Sequence, residues 1–141
     1  MKANIYEILD QVAKAKDKEE RINILRYNYS DALRDVLIGA FHPGITFAVK
    51  EIPPYKSEDV PPGMSYGNMS VALDKVYLFM ENNPRTPPNL TYERKVQLLQ
   101  QLLEGLEPKE AEVFANMLKK DLKVKGLTKE LVNEALPQIA M

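Results

Sequence analysis

The sequence predicts an all-α domain of about seven short helices around one core, with a proline-rich loop in its middle. Three observations carry this reading. Apolar residues recur at the 3–4 residue spacing of a helix face in stretch after stretch. Capping residues open most of these stretches, and proline or glycine closes several of them. Only one run, Ile45 to Val49, is short, β-branched and aromatic in the manner of extended chain. With 141 residues and no internal repeat, the chain is one domain spanning 1–141, with helices one to three in 1–44, an extended segment in 45–67, and helices four to seven in 68–141.

Ile5, Ile8, Leu9, Val12 and Ala13 fall on one face and predict a first helix over about 3–15. Asp17 followed by Glu20 is a start signal, with acids placed where the helix dipole favours them, and Ile22 and Leu25 give the second helix its apolar stripe, up to Tyr27 and Asn28. Ser30 caps a third, carrying Leu33, Val36, Leu37, Ala40 and Phe41 and stopped by His42, Pro43 and Gly44. Four prolines (Pro53, Pro54, Pro61, Pro62) then keep the chain extended, because proline lacks a backbone donor and biases its predecessor away from helix.

After Asn68 or Ser70 the run Met69, Ala72, Leu73, Val76, Tyr77 and Met80 predicts a fourth helix. A second proline-rich linker covers 82–89. A fifth helix runs from about Thr91 to Leu106, with Val96, Leu99, Leu102, Leu103 and Leu106 on its apolar side. Pro108 suits the first turn of a sixth, whose stripe is Ala111, Phe114, Ala115, Leu118 and Leu122. A turn at Gly126 and a last helix from Thr128 to Leu136, ended by Pro137, complete the order.

Composition narrows the function classes. The chain is 45% hydrophobic and 28% charged with a formal net charge of −1, the balance of a soluble globular protein with no bulk attraction to polyanions. It has no cysteine, which removes disulfides, thiolate metal sites and cysteine nucleophiles. No apolar run is long enough to span a bilayer, and residues near Lys2 lack a signal-peptide core, so a cytoplasmic location without membrane contact is expected. The single histidine, His42, sits at a helix end beside Pro43 and reads as a C-terminal cap rather than a ligand or base. Acidic neighbours lie at helix starts, and no glycine-rich phosphate loop occurs. The expectation is a protein that is not an enzyme and uses no cofactor or metal. The tyrosines lie mostly at helix ends and in loops, where such rings cover the rim of a core, with Tyr66 as the candidate for contact with sugar or base edges.

One basic cluster stands out. Lys119, Lys120, Lys123, Lys125 and Lys129 surround Gly126 and Thr128, with Asp121 among them. A glycine turn before a helix start lets backbone N–H groups come close to a phosphate, and flanking lysines add charge, so the stretch is a candidate dock for a nucleic-acid backbone. The competing reading is that lysines at a helix end offset the dipole and solubilise the surface.

Several stretches resemble, in order, the N-terminal helical DNA-binding domain of ATP-dependent DNA ligases, especially those of T-even-type phages. They are Ile5-Tyr6-Glu7-Ile8-Leu9, Ala15-Lys16-Asp17-Lys18, Ile24-Leu25, Leu33-Arg34-Asp35-Val36 and Ile45-Thr46-Phe47-Ala48-Val49-Lys50. Ser65-Tyr66-Gly67 resembles the Ser-Phe-Gly step of that domain. Lys120-Asp121-Leu122-Lys123-Val124, Gly126, and Thr128 to Leu136 with Pro137-Gln138-Ile139 resemble its closing turn and helix. The resemblance implies the ligase-domain fold and sequence-independent binding of duplex or nicked DNA from the minor-groove side. It implies backbone contacts from Lys120, Lys123, Lys125, Gly126, Thr128 and Lys129, with Ser65, Tyr66, Gly67 and Asn68 as a second contact. It also implies a small phage protein acting in an infected bacterial host. Lys123-Val124-Lys125-Gly126 lacks the acid of the ligases' Lys-x-Asp-Gly nucleophile motif, and no adenylation domain follows Met141, so the chain is not expected to ligate by itself. The alternative is a protein-interaction adaptor that keeps the fold and meets a phage or host replication, repair or transcription protein instead of DNA.

Overall fold

The computed structural model describes residues 4–49, 51–56 and 69–141. Among them are seven α-helices: α1 (Ile5–Lys14), α2 (Lys18–Tyr27), α3 (Asp31–Phe41), α4 (Met69–Asp74), α5 (Tyr92–Glu104), α6 (Pro108–Leu118) and α7 (Lys129–Ala135), with short 3-10 turns at Val76–Phe79 and Pro137–Ile139. No strand forms among the described residues, and the fold is all-α as the periodicity requires.

The helix starts follow from local chemistry. Four side-chain oxygens accept the third helical N–H in turn: Asp17 from Glu20 at 2.9 Å, Ser30 from Leu33 at 3.1 Å, Thr91 from Arg94 at 3.2 Å and Thr128 from Leu131 at 3.1 Å. Each satisfies a donor that the helix leaves orphaned, worth about 1 kcal/mol. α6 is the central element: Ala111, Phe114, Met117 and Leu118 are almost wholly buried, and it packs on α1, α3 and α5. Its Phe114 meets Phe79 edge to face at 6.3 Å between ring centres and 85° between planes.

Two expectations are corrected. The fourth helix does not continue to Met80. It stops at Asp74 and gives way to the 3-10 turn, because the segment 45–49 runs alongside and claims the backbone beyond it. Ala48 N–H donates to the Phe79 carbonyl at 2.7 Å and Glu81 N–H to the Thr46 carbonyl at 2.8 Å, so Phe47 and Met80 pair as an isolated antiparallel bridge. Phe79, off the apolar stripe read from the sequence, is the fully buried residue of this turn. The sixth helix likewise ends at Leu118, short of Leu122. Lys120 takes a left-handed backbone (φ +61°), its N–H donating to the Met117 carbonyl and the Asp121 N–H to the Asn116 carbonyl, each at 3.0 Å. This is a Schellman ending, with lysine where glycine is usual.

Candidate nucleic-acid interface

The basic stretch begins where α6 ends, and buried leucines hold it in place. Leu122, Leu127 and Leu131 lie in the core, so the residues between them are pushed outward as loop. The N–H of Lys123 donates to the Asp121 carboxylate at 3.0 Å, and Lys123 also takes a left-handed backbone (φ +56°). Leu127 N–H donates to the Val124 carbonyl at 3.2 Å and closes a tight turn, with Gly126 at its third position at φ +80°, where a side chain would be strained. Lys123, Lys125, Gly126 and Thr128 are exposed on this turn, and Lys129 is half-buried. Thr128 caps α7: its Oγ1 accepts from Leu131, which leaves the hydroxyl proton free to donate outward.

Lys120 does not belong with them. Its Nζ donates to the carbonyls of Gly39, His42 and Ile45, each at 2.9 Å, and lies 5.7 Å from the centre of the Phe47 ring. All three ammonium protons are used inside the fold, where they satisfy carbonyls at the end of α3. Burial draws the Lys120 pKa below the ordinary lysine value. The expected backbone contact at Lys120 is therefore replaced by a structural tie. Ser65, Tyr66, Gly67 and Asn68, the expected second contact, lie outside the described residues.

The sequence reading missed the contribution of α2. Only Leu25 of this helix is buried, and its cations serve α7. Arg26 Nε donates to the Ala135 carbonyl at 2.8 Å, capping the end of α7, and Lys18 pairs with Glu134 at 2.5 Å. Arg21 runs beneath the Gly126 turn: a Cβ on Gly126 would collide with its Nε and lie 2.6 Å from its Cζ. The one available signal was an excess of cations on a helix with too narrow an apolar stripe to be explained by core packing alone.

Elsewhere the polar groups look structural. His42 caps α3 as expected, its Nδ1 accepting from Gly44 N–H at 2.9 Å. Glu110 on α6 is buried at 7% exposure and accepts the Tyr6 N–H at 2.7 Å, capping α1 from another helix. Burial raises its carboxyl above the usual range, the N–H groups of Tyr6 and Ile5 pull it back, and Glu107 and Glu7 add to the rise. Among the described residues no group of three His, Cys, Asp or Glu side chains could hold a metal, and no helix is long and apolar enough to cross a membrane. A cleft of about 580 Å³ opens between α3 and the 3-10 turn after α4, with Ile38, Leu73 and Met117 in its apolar lining and Asp35, Asp74 and Arg85 among its polar groups.

Two solved structures, named Pmar-Lig_PreS3 and Pmar-Lig_Pre, share this fold. Each aligns with 99% of this chain at a TM-score of 0.77, with sequence identities of 20% and 19%. The chain spans only about a third of their length, 32% and 31% respectively, so the likeness is one of fold. No curated protein matches the sequence. A family model does match, over residues 8–124, and the chain belongs to that family, described as a family of unknown function (DUF6433).

Proposed function

We propose that this domain is a non-enzymatic module that grips the phosphate backbone of duplex or nicked DNA without reading sequence, in the cytoplasm of an infected bacterial cell. One observation carries the reading: the Gly126 turn is held by the buried Leu122, Leu127 and Leu131 and leaves Lys123, Lys125 and Thr128 exposed between them. The resemblance of the sequence to ligase DNA-binding domains supports it, as does a fold shared with structures whose names carry "Lig". Phosphate contacts of this kind fix position on a duplex and carry no sequence information. A net charge of −1 makes the grip local, so affinity should be modest and strongly dependent on salt.

The test is a titration of labelled nicked and intact duplex at several salt concentrations. A complex should form at micromolar protein in roughly 50 mM salt, and the Lys123→Glu, Lys125→Glu double variant should abolish it. No complex under those conditions would sink the reading. The second reading, an adaptor that binds a replication, repair or transcription protein instead of DNA, is favoured by the cleft beside α3. In that case binding to the partner would tolerate the double lysine variant and respond to Arg85→Glu at the exposed rim of the cleft.

A further inference from the structure

We infer that Arg21 on α2 is the arginine that receives a phosphate at the Gly126 turn, a contact that depends on the DNA-backbone reading above and gives it an anchor. Arg21 lies far from the lysine cluster in sequence, yet its side chain passes directly under Gly126. Its Nε is shielded from solvent and has no hydrogen-bond partner, the one buried side-chain nitrogen or oxygen in that condition among the described residues. Nor does the guanidinium form an ion pair with any described residue.

Three acids on or beside α2 and α7 have partners of their own. Glu134 pairs with Lys18, the Asp17 carboxylate accepts from Glu20 N–H, and the Glu20 carboxylate accepts from Lys16 N–H. Arg26, on the same helix, donates to carbonyls of α7. Arg21 is left as a half-buried cation without an acceptor, and among the described residues it is the one that buries an unpaired side-chain nitrogen. A guanidinium stays charged at any working pH, and holding it partly out of water unpaired is unfavourable unless an anion completes it.

The surroundings select the anion. Gly126 carries no side chain, and the space a Cβ would take there is filled by the Arg21 side chain itself, so the glycine seats the guanidinium against the turn. With Nε closed off by the turn, an acceptor meets the guanidinium at its terminal nitrogens, an end-on fork that matches two oxygens of a phosphodiester. Lys123 and Lys125 on the exposed side add charge without competing for the fork. The arginine thus supplies direction and the lysines supply field. A lysine at 21 would keep the charge and lose the fork.

The experiment measures duplex affinity against salt for the wild type, Arg21→Lys and Arg21→Gln, with circular dichroism melts confirming that each is folded. Arg21→Gln should weaken binding by about tenfold or more and reduce the slope of log affinity against log salt by about 1, the signature of one lost phosphate contact. Arg21→Lys should keep the slope and still bind several-fold more weakly. If the wild type binds and Arg21→Gln matches it in both affinity and slope, the assignment of Arg21 is overturned and the DNA reading stands. If the wild type forms no complex, both fall.

Discussion

Replacing Lys120 with methionine should destabilise the fold while leaving the proposed interface intact. Methionine retains the unbranched stem beside Phe47 and removes only the ammonium. Three hydrogen bonds from a charged donor are lost, to the carbonyls of Gly39, His42 and Ile45. Bonds to charged groups are worth about 1.5–3 kcal/mol each, so the gross loss is roughly 4.5–9 kcal/mol. Two effects reduce it. The site is only part-buried, so water can reclaim some of the carbonyls, and the burial that lowers the Lys120 pKa no longer acts against a charge. A net loss of about 3 kcal/mol remains. In urea, with a slope near 2 kcal/mol/M, the midpoint should fall by about 1.5 M at unchanged slope. Lys119→Met, at the exposed neighbour, should change stability by less than about 0.5 kcal/mol. Equal, small effects at 119 and 120 would refute the tie. A loss of DNA affinity in folded Lys120→Met, with stability unchanged, would restore Lys120 to the interface.

Two further outcomes are expected. Glu110 holds its proton more tightly folded than unfolded, so it contributes stability that is full below the ordinary carboxylate value of about 4.3 and is lost as pH rises through its raised value. Glu110→Gln, which cannot ionise, should therefore gain stability relative to the wild type as pH rises through that window, and a pH-independent difference in urea midpoints would contradict the assignment. Gly126→Ala should cost about 1–2 kcal/mol from the left-handed backbone, plus the displacement of Arg21. Adding Arg21→Ala should recover part of that cost, whereas strict additivity of the two in a double-mutant cycle would show that the side chain does not press on the turn.

The elements legible in the sequence are those governed by neighbours along the chain. Asp17, Ser30, Thr91 and Thr128 cap because a side-chain oxygen reaches an N–H three residues on, and that geometry is local. The apolar stripes of α1, α3 and α6 were legible for the same reason. The errors fall where a distant segment outbid the helix. The fourth helix yields at Lys75 because Thr46 and Ala48 take backbone partners beyond it, a pairing that no periodicity within 69–80 could announce. Leu122 kept a helical spacing and a buried position, yet Lys120 had already turned the chain, which a lysine does here because its side chain has carbonyls to reach across the fold. In the candidate site the turn, its glycine and its exposed lysines were readable, whereas Arg21 was not. Its importance lies in what it touches.

That α2 underlies the Gly126 turn bears on the order in which the domain assembles. The contacts of α2 with α7 close a loop of most of the chain, and such closures are slow because their entropy must be met before the contact offers any return. The Arg26 cap on α7 and the seat of Arg21 under Gly126 are thus expected among the last features to form. A peptide cut from 116–137 would carry every lysine of the cluster and nothing beneath it. The charge is encoded in twenty-odd residues, but the surface that presents it belongs to the whole chain.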